Sequence, residues 1–198
     1  MVEVRTFVAG DVTPHFDAVA ALRVAVFRDW PYLYAGDAGY EQRYLATYAQ
    51  SARSLFVLVF DGARVVGAST AIPLEDETDA IRAPFAARGW NVGEVFYFGE
   101  SVLLPEYRSR GLGHCFFDER EAHARRLGGF KVTSFCSVER RADDPRRSDG
   151  YRPNDAFWRK RGYAPLPDFR CELEWPEVGG SASIPHALQF WARALEAA

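Results

Sequence analysis

Polar and apolar residues alternate from Val2 to Phe7, the two-residue period of a strand with one buried face. The period then lengthens, with Phe16, Val19, Leu22, Val26 and Phe27 recurring at helical spacing. That spacing predicts a helix opened by Thr13-Pro14 and closed near Pro31. Tyr40, Tyr44 and Tyr48 recur every fourth residue and predict a second helix with three rings on one face. Residues 55–60 are apolar, Asp61-Gly62 is a turn signal, and residues 64–72 return, so a hairpin is expected. Residues 74–91 read as a linker with a short helix over 81–87. Residues 92–104 predict a strand in which Gly99 marks a bulge or bend.

A helix over residues 111–127 ends at Gly128-Gly129, a strand follows over 131–138, and residues 139–153 form a long charged loop. A short helix over 155–161 stops at Gly162, and the last strands fall at Tyr163 and over 171–175. Residues 177–198 are expected to be a C-terminal extension ending in a helix over 183–195. With no repeat and no forced boundary, the pattern predicts one mixed α/β domain over 1–198.

Composition narrows the partners. The chain has 198 residues, 48% of them hydrophobic, with a formal net charge of -3, which weighs against non-specific nucleic-acid binding. Aromatic residues reach 15%, more rings than a surface holds casually, so some fill the core and others are free to line a cleft. Cys115, Cys136 and Cys171 follow no metal or disulfide spacing, and free thiols in a reducing compartment are expected. No apolar run approaches membrane-spanning length and no secretion segment opens the chain. The expectation is a cytoplasmic monomer or homodimer with no metal, no nucleic-acid partner and no membrane partner.

The sharpest local feature is Val102-Leu103-Leu104-Pro105-Glu106-Tyr107-Arg108-Ser109-Arg110-Gly111-Leu112-Gly113-His114, where a strand turns into a helix. Gly111 and Gly113 let backbone approach a ligand, and the first-turn N–H groups lack partners within the helix. Such a terminus suits phosphate, with Arg108 and Arg110 adding charge, although the same glycines would also serve close packing. It is neither a Walker loop nor a dinucleotide fingerprint, since Gly-Lys-Ser/Thr is absent and the Gly-x-Gly-x-x-Gly spacing fails.

Arg108-x-x-Gly111-x-Gly113 resembles the signature of the GCN5-related N-acetyltransferase (GNAT) superfamily, and residues 103–108 resemble the strand end that precedes it. Residues 154–163, Asn-Asp-Ala-Phe-Trp-Arg-Lys-Arg-Gly-Tyr, resemble its second conserved segment. The similarity covers about residues 1–176. It implies an α+β fold: a central mixed, mostly antiparallel sheet of six to seven strands, flanked by helices. Two splayed parallel strands, here 92–104 and 131–138, would open the sheet. It also implies acetyl transfer from acetyl-CoA to a primary amine of a small molecule, by direct attack in a ternary complex. A non-catalytic acyl-CoA sensor and a protein N-acetyltransferase remain as alternatives.

By the same resemblance, pyrophosphate lies on the N–H groups of Ser109, Arg110, Gly111, Leu112, Gly113 and His114, and pantetheine runs beside Val102, Leu103 and Leu104. Asn154 would contact that arm, and Trp158 would either sit near the thioester or anchor its short helix. The Leu103 N–H would polarise the thioester carbonyl. Glu100 is the first candidate base and Glu94 the second, though each position also suits a structural carboxylate. Trp158 stands where many members carry an acidic tyrosine, and an indole cannot protonate a thiolate, so Tyr151 and Tyr163 are the substitutes to consider. Cys136 reads as a core thiol, because a nucleophile needs an activator such as His114 or His123 nearby. Trp30, Tyr32 and Tyr34, with the later tyrosines and Asp29, Asp37 and Glu41, either wall a pocket for a cationic or aromatic amine or pack two helices.

Overall fold

The apolar run at residues 55–60 becomes β2 (Leu55–Asp61), and its alternation splits the core in two. Phe56, Leu58 and Phe60 pack with Val19, Leu22, Leu45 and Tyr48 on one face. Leu55, Val57 and Val59 pack with Leu112 and Phe116 on the other. A computed structural model, which describes residues 1–196, shows what supplies the two faces. α1 (Phe16–Phe27) and α2 (Ala38–Gln50) cover the first, and α4 (Leu112–Leu127) and α5 (Asp155–Lys160) cover the second. α3 (Asp79–Ala87) adds Ile81 and Phe85 to the first.

Between them lies a seven-stranded sheet. β1 (Val2–Val8), β2, β3 (Arg64–Pro73) and β4 (Val95–Leu103) pair antiparallel in sequence order. β5 (Val132–Val138) joins β4 in parallel, and β7 (Ser183–Ala194) lies between β5 and β6 (Ala164–Pro176), antiparallel to both. This is the mixed, mostly antiparallel sheet that the motif resemblance implies.

Its opening is also as implied. β4 and β5 pair only at Val95↔Val132, Phe96↔Thr133 and Tyr97↔Ser134. Beyond Tyr97, β4 stays paired to β3 as far as Leu103, and β5 stays paired to β7 as far as Val138. Each strand is thus held on its outer side while the inner edges diverge.

Two elements differ from the sequence reading. Residues 9–15 form a 3-10 turn, so Pro14 lies inside that turn and α1 begins after it, at Phe16. The tail, expected to be a peripheral helix, is β7, an interior strand of the sheet. Its Ala, Leu, Gln and Arg residues favour a helix locally, but His186, Leu188 and Phe190 are buried at a two-residue interval. Pairing on both sides overrides the local preference.

Candidate active site

At the foot of the opening, β4 passes through a 3-10 turn (Pro105–Tyr107) into α4. Ser109, at φ 60°, and Gly111, at φ 81°, are left-handed, and such residues turn successive N–H groups into a concavity that binds anions. Among the described residues, the N–H groups of Ser109, Arg110, Gly111, Leu112 and Gly113 have no acceptor. The N–H groups of His114 and Cys115 fold back onto the Gly111 carbonyl at 2.9 and 3.3 Å, so the cradle ends at Gly113 and not at His114. A Cβ built on Gly111 meets nothing within 4 Å, so that residue faces open space, whereas one on Gly113 would touch the Phe157 ring at 3.6 Å. Arg108 reaches back to the Leu103 carbonyl with Nε at 3.1 Å, and the Arg110 guanidinium lies 5.2 Å from the Tyr107 ring centroid. Neither arginine is ion-paired among the described residues, so both remain available to phosphate.

The strand edge above the cradle follows from register. Leu104 N–H donates to the Val66 carbonyl at 3.0 Å, and Val102 pairs with Ala68, so these groups face β3. Alternation then turns the N–H groups of Ser101 and Leu103 to the opposite edge, where β5 has diverged. The expected Gly99 bulge is present, because β3 advances two residues from Ser69 to Ala71 while β4 advances three, from Ser101 to Phe98. A Cβ on Gly99 would collide with the hydroxyls of Tyr44, Tyr48 and Thr70, so only glycine fits there. Arg120 of α4 braces the bulge from beneath, donating to the Glu100 carbonyl at 3.2 Å. Burial pulls its guanidinium down to about 10, which leaves it charged at neutral pH.

On the α1–α2 face the bulge opens into a cavity of about 240 Å³. Tyr32, Tyr34, Tyr40, Tyr44, Tyr97 and Trp175 supply aromatic walls, and Glu41, Glu77 and Glu100 supply buried carboxylates. Glu100 is oriented on one oxygen only. Its Oε2 accepts from Arg23 Nη1 at 2.9 Å, Thr70 Oγ1 at 2.8 Å and the Tyr44 hydroxyl. Oε1 is buried and has no partner among the described residues. Glu41 repeats the pattern in part, with Oε2 on Arg23 Nε at 2.5 Å, Oε1 without a well-formed hydrogen bond among the described residues, and the Tyr34 hydroxyl beside the carboxylate. Burial raises the Glu41 carboxyl above its usual range even with Arg23 beside it. Glu77 is satisfied on both oxygens, by the Tyr48 hydroxyl at 2.5 Å and Thr78 N–H at 2.6 Å, yet burial raises it as well.

Several sequence candidates lie elsewhere. Trp30 is outside the aromatic cavity, in a separate groove with Tyr151, because Arg140 clamps the Pro31 and Tyr32 carbonyls and takes the Trp30 ring onto its outer side. Tyr32 and Tyr34 do face the cavity. Glu94 precedes β4 and pairs with Lys131 at 2.6 Å, away from the cavity. Tyr163 is committed to Thr133 at 2.8 Å and to Glu121 at 3.1 Å in the core. Trp158 packs on Phe135 and Trp191, with centroids at 5.0 and 5.1 Å, which anchors α5. Asn154 is exposed at the start of α5, and its side chain makes no cap bond. Cys136 lines the cavity with the Tyr97 hydroxyl 3.0 Å from its sulfur, while His123 bonds to the Arg53 carbonyl and His114 packs on Phe157.

Sequence reasoning missed Arg23, Ser101, Arg120 and Glu77. Arg23 had a signal: it stands four residues from both Val19 and Phe27, on the apolar stripe of its helix, where a charge needs a buried partner. Glu77, in a segment read as linker, had none.

No family model matches the chain, and no curated protein matches it in sequence. Solved structures do match. A polyamine N-acetyltransferase from Drosophila melanogaster aligns at TM-score 0.60 and 12% identity, over 98% of this chain and 100% of that one. The ribosomal-protein-S18-alanine N-acetyltransferase from Escherichia coli aligns at 0.58 and 12%, over 100% and 96%. A Salmonella typhimurium protein solved with its cofactor acetyl-CoA aligns at 0.55 and 14%, over 98% and 94%. With the β4–β5 divergence and its strand order, the chain has the fold of the GNAT acetyltransferases.

Proposed function

We propose that this protein transfers an acetyl group from acetyl-CoA to the primary amine of a small molecule, by direct attack in a ternary complex. One observation carries the reading. The five free N–H groups at residues 109–113 and the carboxylate-lined cavity lie at opposite faces of a single strand opening. The open cradle fits a pyrophosphate, with Arg108 and Arg110 beside it. Bound acetyl-CoA supplies the thioester carbonyl. Ser101 and Leu103 offer edge N–H groups suited to fixing and polarising such a carbonyl.

Glu100 accepts the proton of the attacking amine on Oε1, directly or through water, while Arg23, Thr70 and Tyr44 hold Oε2 still. Arg120 acts through the bulge, as a positioning residue. The cavity is walled by inward-facing side chains, which favours a small molecule over a protein segment. Thiolate release from acetyl-CoA over a panel of amines tests the reading. Turnover with any primary amine supports it, whereas tight acetyl-CoA binding with no turnover points to a sensor module.

A further inference from the structure

The acceptor cavity is short of positive charge. Glu41, Glu77 and Glu100 are all buried, and the one buried guanidinium among the cavity's walls, Arg23, is shared between Glu41 and Glu100. Arg43 also reaches the cavity, but it is exposed and screened by solvent. The shortage is visible atom by atom. The Glu41 side chain is 0% exposed and that of Glu100 5%, and each keeps one buried oxygen without a well-formed hydrogen bond among the described residues, the Tyr34 hydroxyl standing beside Glu41. A buried anionic oxygen left unpaired is costly, so the arrangement is matched to something that enters. Tyr34 and Tyr40 line the wall that Glu41 belongs to, and their rings also favour a cation, whereas the Tyr44 ring already carries the Arg23 guanidinium at 3.7 Å from its centroid.

The amine under attack cannot be that cation, because its nitrogen must be neutral to attack a thioester. Glu100, beside the strand opening, is the carboxylate that serves it; Glu41 is then left to a different group. Resting on the acetyl-transfer reading above, we infer that the acceptor carries a second, cationic group besides the amine it presents, and that this group binds against Glu41 inside the tyrosine walls. The acceptor class is therefore a diamine, or an amine bearing a quaternary ammonium or guanidinium.

Two near-isosteric amines test this: (2-aminoethyl)trimethylammonium and 3,3-dimethylbutylamine, which differ in a quaternary nitrogen against a quaternary carbon. Binding to the full chain is measured by calorimetry with CoA present. Turnover is measured as kcat/KM on the neutral-amine concentration. The cation should bind and react at least about tenfold better. In Glu41→Gln that preference should fall below about threefold, read as the ratio of the two amines so that any change Arg23 passes on to Glu100 affects both alike. Equal binding of the two amines by the unaltered protein, or binding of neither, overturns the inference without relying on any variant. A preference that survives in a folded Glu41→Gln protein overturns it as well. Selective binding of the cation with no turnover of either amine would leave the cation site standing and sink acetyl transfer instead.

Discussion

On the α4 side of the sheet, the site is made of backbone: five consecutive N–H groups without an acceptor among the described residues, set by two left-handed residues. On the α1–α2 side it is made of side chains: buried carboxylates and tyrosines from the turn after α1, from α2, from residue 77 and from β4, with Arg23 of α1, Cys136 of β5 and Trp175 of β6 beside them. Backbone recognition depends on chain conformation and tolerates changes in side chains around it. Side-chain recognition depends on which residues converge. A protein built this way can keep one acyl donor while its acceptor is redefined by substitutions that never touch the donor half.

Substitutions should therefore separate the two halves. The largest effect is expected for Glu100→Gln, which should lower kcat by roughly 10²–10⁴-fold while leaving acetyl-CoA affinity within about threefold. Steady-state kinetics beside calorimetry checks this, and a comparable loss of donor binding would break the division. Gly111→Val reverses the pattern. A β-branched residue at φ 81° costs about 1–2 kcal/mol locally, and distortion of the cradle should weaken acetyl-CoA binding roughly 10–100-fold. Binding of the cationic amine should be unaffected in the same preparation.

Smaller effects sharpen the assignment of roles. Tyr163→Phe removes a core hydroxyl bonded to Thr133 and Glu121, so thermal unfolding should report a loss of about 1 kcal/mol while kcat stays unchanged. A fall in kcat alone would restore Tyr163 as an acid. The smallest effect is a pH dependence confined to the acceptor half. Burial raises Glu77 above its usual range, and its bonds from Tyr48 and Thr78 offset that only in part. Its contribution to stability is complete below the unfolded carboxylate value near 4.3 and is lost as pH rises through the folded value. Glu77→Gln lacks that loss, so its Tm deficit relative to the unaltered protein should shrink by a few degrees between about pH 4 and pH 8. A deficit that grows with pH would contradict the assignment.

The same division explains what could be read from sequence. The cradle lies in neighbouring residues, so Gly111, Gly113 and the arginines announced it before any tertiary contact was known. The hairpin at Asp61-Gly62 and the bulge at Gly99 were legible for the same reason, since each is a local backbone event. Glu100 stands out as a candidate in the sequence because it lies close in the chain to the glycine turn at residues 109–113. That one of its oxygens is without a partner among the described residues while three donors hold the other depends on Arg23, Tyr44 and Thr70, which meet only in the fold. Nothing local in the sequence foretells that Arg140 clamps the turn beside Trp30 and keeps its ring out of the aromatic cavity. β7 was misread because its residues favour a helix until strands stand on either side.

The position of β7 has a consequence for biosynthesis. β6 pairs with β7 and with no other strand, although β7 follows it in the chain. During translation the 13 residues of β6 thus leave the ribosome with no neighbour in the sheet, and until residues 183–194 emerge they have only contacts outside it, such as Trp175 Nε1 on the Tyr32 carbonyl at 3.0 Å. A nascent chain halted ahead of residue 183 would already contain the whole glycine turn at residues 109–113, yet it would lack Leu188 from the wall of the aromatic cavity.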